Sequence, residues 1–247
     1  MAAATFRIWR GSASGGDFRD YAAEVTEGMV VLDAVLQIQA KQAGDLALRW
    51  NCKAGRCGSC SAEVNGTPRL MCMTRLSELS LDQPVTVEPL QAFPLIKDLA
   101  CDVSWNFDVK KRIRPFNPRP PDAPDGTWRM AQADVERVQE FRKCIECFLC
   151  QDVCHVLREH HEHRAFIGPR FFVHVAALEM HPLDVGDRLE ELGRTQGLGF
   201  CNITKCCTKV CPENITITDN AIIPLKERWI DKRFDPLLML RRWLFGG

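Results

Sequence analysis

Alternating apolar and polar residues over 5–10, a Gly15-Gly16 pair and renewed alternation over 21–25 predict a β-hairpin at the start of the chain. The period then changes. Within 29–41, Leu32, Val35, Leu36 and Ala40 recur at helical spacing, and Gly44 stands where a C-terminal stop belongs. Segments 61–64 and 67–71 flank Asn65-Gly66, a strong short hairpin signal because both turn positions need positive φ. With a further strand at 85–89, the first hundred residues read as a small mixed sheet packed on one helix.

After Lys110-Lys-Arg-Ile-Arg114 the pattern breaks at Pro115, Pro118, Pro120, Pro121 and Pro124, which exclude a helix interior and favour an extended, semi-rigid connector. Helical periodicity then returns at 134–142, 170–180 and 184–192, with no strand pattern of similar strength. The expected architecture is α+β: a sheet-containing domain over 1–108, a Pro-rich connector over 109–128 and a helical domain over 129–247.

Charge narrows the function classes. The 32 basic and 32 acidic side chains balance, so no field attracts nucleic acid, and nucleic-acid binding is not expected. No run reaches the eighteen or so apolar residues of a spanning helix. The first ten residues lack both an apolar signal core and the Arg/Ser-rich character of a transit peptide, so the mature chain is expected to begin near residue 1. Thirteen cysteines without a secretory signal point to a reducing compartment, where thiols serve metals and not structural disulfides.

Eleven of these cysteines fall into three groups. Cys52, Cys57 and Cys60, with Cys72 further on, have the C-x4-C-x2-C spacing of a plant-type 2Fe-2S site, and Gly55 and Gly58 let backbone wrap a small inorganic core. Zinc also takes four thiolates, but usually from two CxxC-like pairs separated by a longer stretch. The run C-x2-C-x2-C-x3-C, whose fourth member serves the other cluster in two-cluster ferredoxins, occurs twice. Cys144, Cys147 and Cys150 are therefore expected to hold a 4Fe-4S cluster with Cys211, which carries the characteristic following Pro212. Cys154, Cys201 and Cys207 are expected to hold the other. Thr204 stands at the second position of the later copy and supplies no thiolate, so three cysteines suit a 3Fe-4S cluster. Cys206 is read as a non-ligand, because adjacent side chains rarely point the same way, and Cys101 as an inert buried thiol.

Taken together, these motifs resemble the iron-sulfur subunit of succinate dehydrogenase and quinol:fumarate reductase, along almost the whole chain and including Phe166-Ile-Gly-Pro-Arg170. The resemblance implies a β-grasp 2Fe-2S ferredoxin-like domain followed by an α-helical bacterial-ferredoxin-like domain. It implies partners: an FAD-containing flavoprotein subunit that carries the dicarboxylate site, membrane-anchor subunits and quinone. Electrons from succinate would pass singly from FAD through 2Fe-2S, 4Fe-4S and 3Fe-4S to quinone, in a complex on the cytoplasmic face of a bacterial plasma membrane. Fumarate reduction is the same wire run in reverse. The iron-sulfur subunit of another flavin-linked membrane dehydrogenase is the alternative, and a zinc-binding interaction module is a reading of a different class.

One segment departs from the family. His155 replaces the usual proline after Cys154, and no Trp lies between Cys154 and Gly168. His155 and His160 are candidate quinone contacts, since imidazole titrates near neutrality, and a solvated helix face is the plainer reading. The basic and aromatic residues over 233–245 suggest a docking helix, or an amphipathic tail packed on its own domain.

Overall fold

The computed structural model describes residues 2–236 together with 240 and 244. Strands β1 (Ala2–Ser12) and β2 (Gly15–Val25) pair antiparallel along their whole length. The turn is Ala13-Ser14, so the glycines expected to make it lie in β2 instead. They permit a close crossing: a Cβ on Gly16 would meet Arg10 O at 2.3 Å, and one on Gly11 would meet Gly15 O at 2.5 Å. Helix α1 (Val31–Lys41) buries Val31, Ala34, Val35 and Ile38, a single stripe at helical spacing. It ends at Gln42, two residues before the expected glycine stop.

Strands β3 (Ser61–Val64) and β4 (Thr67–Leu70) form the predicted two-residue hairpin, with Asn65 at φ 49° and Gly66 at 70°. The Asn65 side chain also accepts Thr86 N at 2.8 Å, which ties the turn to β5 (Val85–Glu88). β5 runs parallel to β1 and antiparallel to β3. Two short strands that the sequence pattern did not predict, β6 (Leu95–Lys97) and β7 (Ala100–Cys101), extend the sheet from the far end of β1. Phe6, Ile8, Val85 and Val87 join Val31, Ala34, Val35 and Ile38 in a core fully closed to solvent. The fold class is α+β, as expected.

Helix α2 (Ser104–Arg112) was not predicted either, and the expected 108/109 boundary falls inside it. The helical region follows. It comprises α3 (Gln132–Gln139), a 3-10 turn Glu140–Lys143, α4 (Leu149–Asp152), α5 (His155–Arg158) and α6 (Pro169–Glu179). After α7 (Leu189–Arg194) and α8 (Cys206–Lys209), a π-helical turn Ile217–Ile222 leads into α9 (Ile223–Phe234). No helix among the described residues is long and apolar enough to cross a membrane. The docking helix expected over 233–245 lies for the most part outside the described residues.

A helix over 184–192 is only half present, and the cause is a buried polar knot. Asp184 accepts Gly186 N at 2.7 Å and Asn117 N at 3.3 Å, so its carboxylate holds an irregular turn. Arg188, 1% exposed, donates to Asp184 Oδ2 at 2.9 Å, to Arg114 O at 2.8 Å and to Pro115 O at 2.5 Å. The Pro-rich connector is thereby strapped onto the helical region. Arg188→Met is expected to leave the buried Asp184 carboxylate without its cationic partner and both carbonyls without this donor, at a cost of about 3–5 kcal/mol. A lowered denaturation midpoint that Arg188→Lys fails to restore would show this, since one ammonium does not reproduce the forked geometry.

Candidate metal centres

The loop before β3 is irregular because its backbone turns inward. Lys53, Gly55 and Gly58 have φ of 56°, 65° and 67°. Amides then point at sulfur: Ala54 N and Arg56 N donate to Cys52 Sγ at 3.4 and 3.3 Å, and Gly55 N donates to Cys72 Sγ at 3.3 Å. Cys60 and Cys72 are buried while Cys52 is exposed, so one side of the thiol group meets solvent. Burial, then the neighbouring Cys72, pushes the Cys60 thiol up to about 12. For Cys57 burial acts upward too, but hydrogen bonds from the Ser59 side chain and from the backbone at Cys52 and Ser59 bring it down to about 6.

The two later groups share one local design. Glu146 and Phe148 flank Cys147 with φ of 56° and 63°, and Ile203 and Lys205 flank Thr204 with 63° and 61°. Short helices α4 and α8 follow at the same point of each copy. Thr204 is thus the structural counterpart of Cys147, on a backbone shaped to present a ligand.

Cys144, Cys147, Cys150 and Cys211 line a single small cavity with Arg170, Pro212 and Ile215. Ile215 N donates to Cys211 Sγ at 3.4 Å. Arg170, 4% exposed, pairs with Glu146 at 2.6 Å, yet its Nε is buried with no hydrogen-bond partner. An unpartnered guanidinium N–H beside four thiols suits an anionic cluster. Burial, more than any other influence, pushes the thiol of Cys147 up to about 12 and that of Cys150 well above its usual value. A cation held at this site would offset the desolvation and make these sulfurs thiolates.

A second small cavity is lined by Cys154, Cys201, Cys206 and Cys207 together with His155, Thr204 and Thr218. Cys207 Sγ lies 3.5 Å from Thr218 Oγ1. Burial pushes the Cys154 thiol up to about 12 and the Cys207 thiol to about 11. Cys206, read as a non-ligand, lines this space together with Cys207. His155 lines the cavity; His160 is exposed and sits edge-on to the His155 ring at 6.1 Å. Cys101 is buried and donates to Leu90 O at 3.4 Å.

Sequence reasoning missed how the first two groups meet. Ser61 Oγ donates to Gly58 O at 2.8 Å and lies 2.9 Å from Cys147 O as a second acceptor. A Cβ on Gly58 would fall 2.5 Å from Cys147 Cα. The two cluster loops therefore touch backbone to backbone. Around this contact the halves are sealed by Ala92 N donating to Asp152 Oδ1 at 2.9 Å, by the Arg158–Glu63 ion pair and by His163 Nε2 at 2.8 Å from Ala92 O. His163 is therefore an interface residue. The only sequence signal for the crossing was the glycine between two ligands, and it was read as local wrapping alone.

Residues 5–108 match a family model described as a 2Fe-2S iron-sulfur cluster binding domain, and residues 140–215 match a 4Fe-4S dicluster domain. A fumarate reductase iron-sulfur subunit of Mycobacterium tuberculosis is 32% identical over 206 residues, covering 82% of each chain. A succinate dehydrogenase iron-sulfur subunit of Bacillus subtilis is 30% identical over 177 residues, 68% of this chain and 66% of that one. Among solved structures, a chain of the Mycobacterium smegmatis Sdh1 complex in the apo form is 58% identical, with a TM-score of 0.91 over 95% of this chain and 98% of that one.

Proposed function

Because the chain belongs to the iron-sulfur subunits of succinate dehydrogenase and fumarate reductase, we propose that its three thiol groups form a wire from a flavoprotein partner to membrane quinone. The family carries 2Fe-2S, 4Fe-4S and 3Fe-4S clusters, each of which takes up and releases one electron at a time. We assign Cys52, Cys57, Cys60 and Cys72 to 2Fe-2S; Cys144, Cys147, Cys150 and Cys211 to 4Fe-4S; and Cys154, Cys201 and Cys207 to 3Fe-4S. The interlocked cavities carry this reading, because Cys211 and Cys154 each close the cavity of the other copy.

The residues divide the work. Backbone amides at 54–56 and at Ile215 stabilise thiolate charge, Arg170 offsets the charge of the middle site, and the Gly58–Cys147 contact holds the first two sites close. The exposed Cys52 side suits the flavoprotein. The 3Fe-4S end, with Phe200 and Ile203 exposed beside it, suits anchor subunits on the inner face of a plasma membrane. Adding succinate to the purified complex is expected to reduce the centres, with matching iron and sulfide content; a colourless, zinc-replete chain would overturn the assignment.

His155 lines the last cavity and His160 stacks beside it, a pair placed to hold or protonate quinone. Their replacement by Ala is expected to slow quinone reduction about a hundred- to ten-thousandfold, the range of general acid-base catalysis, with artificial-dye reduction unchanged. Unchanged quinone kinetics would leave them as surface residues.

A further inference from the structure

Two departures from the ferredoxin pattern coincide in the later copy. The ligand position is Thr204, and two residues on, where the first copy has the fully buried Leu149, stands the half-buried Cys206. The sulfur of Cys206 lies 3.3 Å from Thr204 Oγ1 and lines the same cavity as Cys154, Cys201 and Cys207. A thiol is thus delivered beside the corner where the other copy places Cys147. Thr204 is exposed, so this corner opens outward while Cys154 and Cys207 are buried behind it.

From this geometry we propose that Cys206 is a reserve fourth ligand, which lets the three-iron site take up one ferrous ion and become 4Fe-4S. The inference rests on the assignment of Cys154, Cys201 and Cys207 to a 3Fe-4S cluster. Such a cluster is a cube lacking one iron, with three sulfides facing the open corner. A fourth protein ligand is needed to hold iron there, and soft thiolate suits it far better than a threonine hydroxyl. The step balances. One electron, supplied by the succinate reaction, brings the oxidised cluster to its neutral form. The neutral 3Fe-4S core plus Fe(II) plus the Cys206 thiol then gives a dicationic 4Fe-4S core bound to the Cys206 thiolate, and a proton leaves. The last carrier before quinone would in this way respond to free ferrous iron.

The test uses the intact complex, incubated anaerobically with succinate and ferrous sulfate, freed of excess iron and succinate and reoxidised anaerobically with excess quinone. Oxidised 3Fe-4S is paramagnetic, whereas oxidised 2Fe-2S and 4Fe-4S are not, so one electron paramagnetic resonance signal reports the site. The untreated complex must show that signal; its absence would overturn the 3Fe-4S assignment and this inference with it. After ferrous incubation the wild type is expected to lose most of the signal and gain one iron per complex. Cys206→Ala is expected to keep both unchanged. Thr204→Val is expected to take up iron like the wild type. A persistent wild-type signal would overturn the proposal, as would equal loss in Cys206→Ala, loss of uptake in Thr204→Val, or a Cys206→Ala complex that lacks the signal before iron is added.

Discussion

Replacing Cys211 with Ser is expected to bring quinone-linked turnover of the complex to background, while Cys101→Ser leaves it near the wild-type rate. Cys211 closes the cavity of Cys144, Cys147 and Cys150 from a stretch of chain more than sixty residues away. Its sulfur also receives the Ile215 amide. Serine offers a hard, neutral hydroxyl where iron needs a soft anionic donor. Loss of an outer partner alone costs about 10- to 100-fold in metal affinity or activity, so loss of a ligand should exceed that. Two consequences separate this from general misfolding. The 4Fe-4S signal disappears from the reduced complex while the 2Fe-2S signal stays, because Cys52, Cys57, Cys60 and Cys72 all lie in the other domain. The helical region also loses stability, since the cluster ties 144–150 to 211 and binding energy of that kind is folding energy. Cys101, by contrast, borders a cavity shared with Cys57, Cys144 and Cys147 but is assigned to none of the three groups, and its thiol donates to Leu90 O. A Cys211→Ser complex with full quinone turnover would remove Cys211 from the wire.

Periodicity and spacing were informative where the cause is local. The α1 helix is visible in the repeat of Leu32, Val35 and Leu36, although the stripe it buries runs through Val31, Ala34, Val35 and Ile38 and leaves Ala40 exposed, and Asn65-Gly66 is visible because positive φ at both positions is a property of those two residues. Cysteine spacing was legible for the same reason, as a cluster loop needs its ligands within a few residues. What escaped depends on distant partners. Asp184 reads as a helix start by its neighbours, but Asn117 and Arg188 commit its carboxylate to a turn. Gly15 and Gly16 look like a turn, but the tight crossing with Arg10 and Gly11 makes them strand. Cys206 was read as a non-ligand because adjacent side chains rarely point the same way. Both it and Cys207 open a short helix, where neighbours diverge by about 100° and can border one space.

The crossing of Gly58 over Cys147 permits the sharpest separation of assembly from electron transfer. A methyl group at Gly58 would sit 2.5 Å from Cys147 Cα and 2.9 Å from its Cβ, so the two loops must part. The cost combines about 1–3 kcal/mol of overpacking with about 1–2 kcal/mol for a side chain in left-handed backbone. Electron transfer falls steeply with separation, so Gly58→Ala is expected to slow turnover severalfold or more with both clusters still assembled. Gly66 supplies the control. Its φ of 70° matches the 67° of Gly58, but a Cβ there meets nothing within 4 Å. Gly66→Ala therefore carries the same backbone strain without the wedge, and should lower stability while leaving transfer between the centres intact. Mutual spin-relaxation of the reduced 2Fe-2S and 4Fe-4S clusters, which weakens as they separate, distinguishes the two. Relaxation should fall in Gly58→Ala and hold in Gly66→Ala. Equal slowing in both variants would mean that strain in the sheet domain, and not the loop crossing, limits the wire.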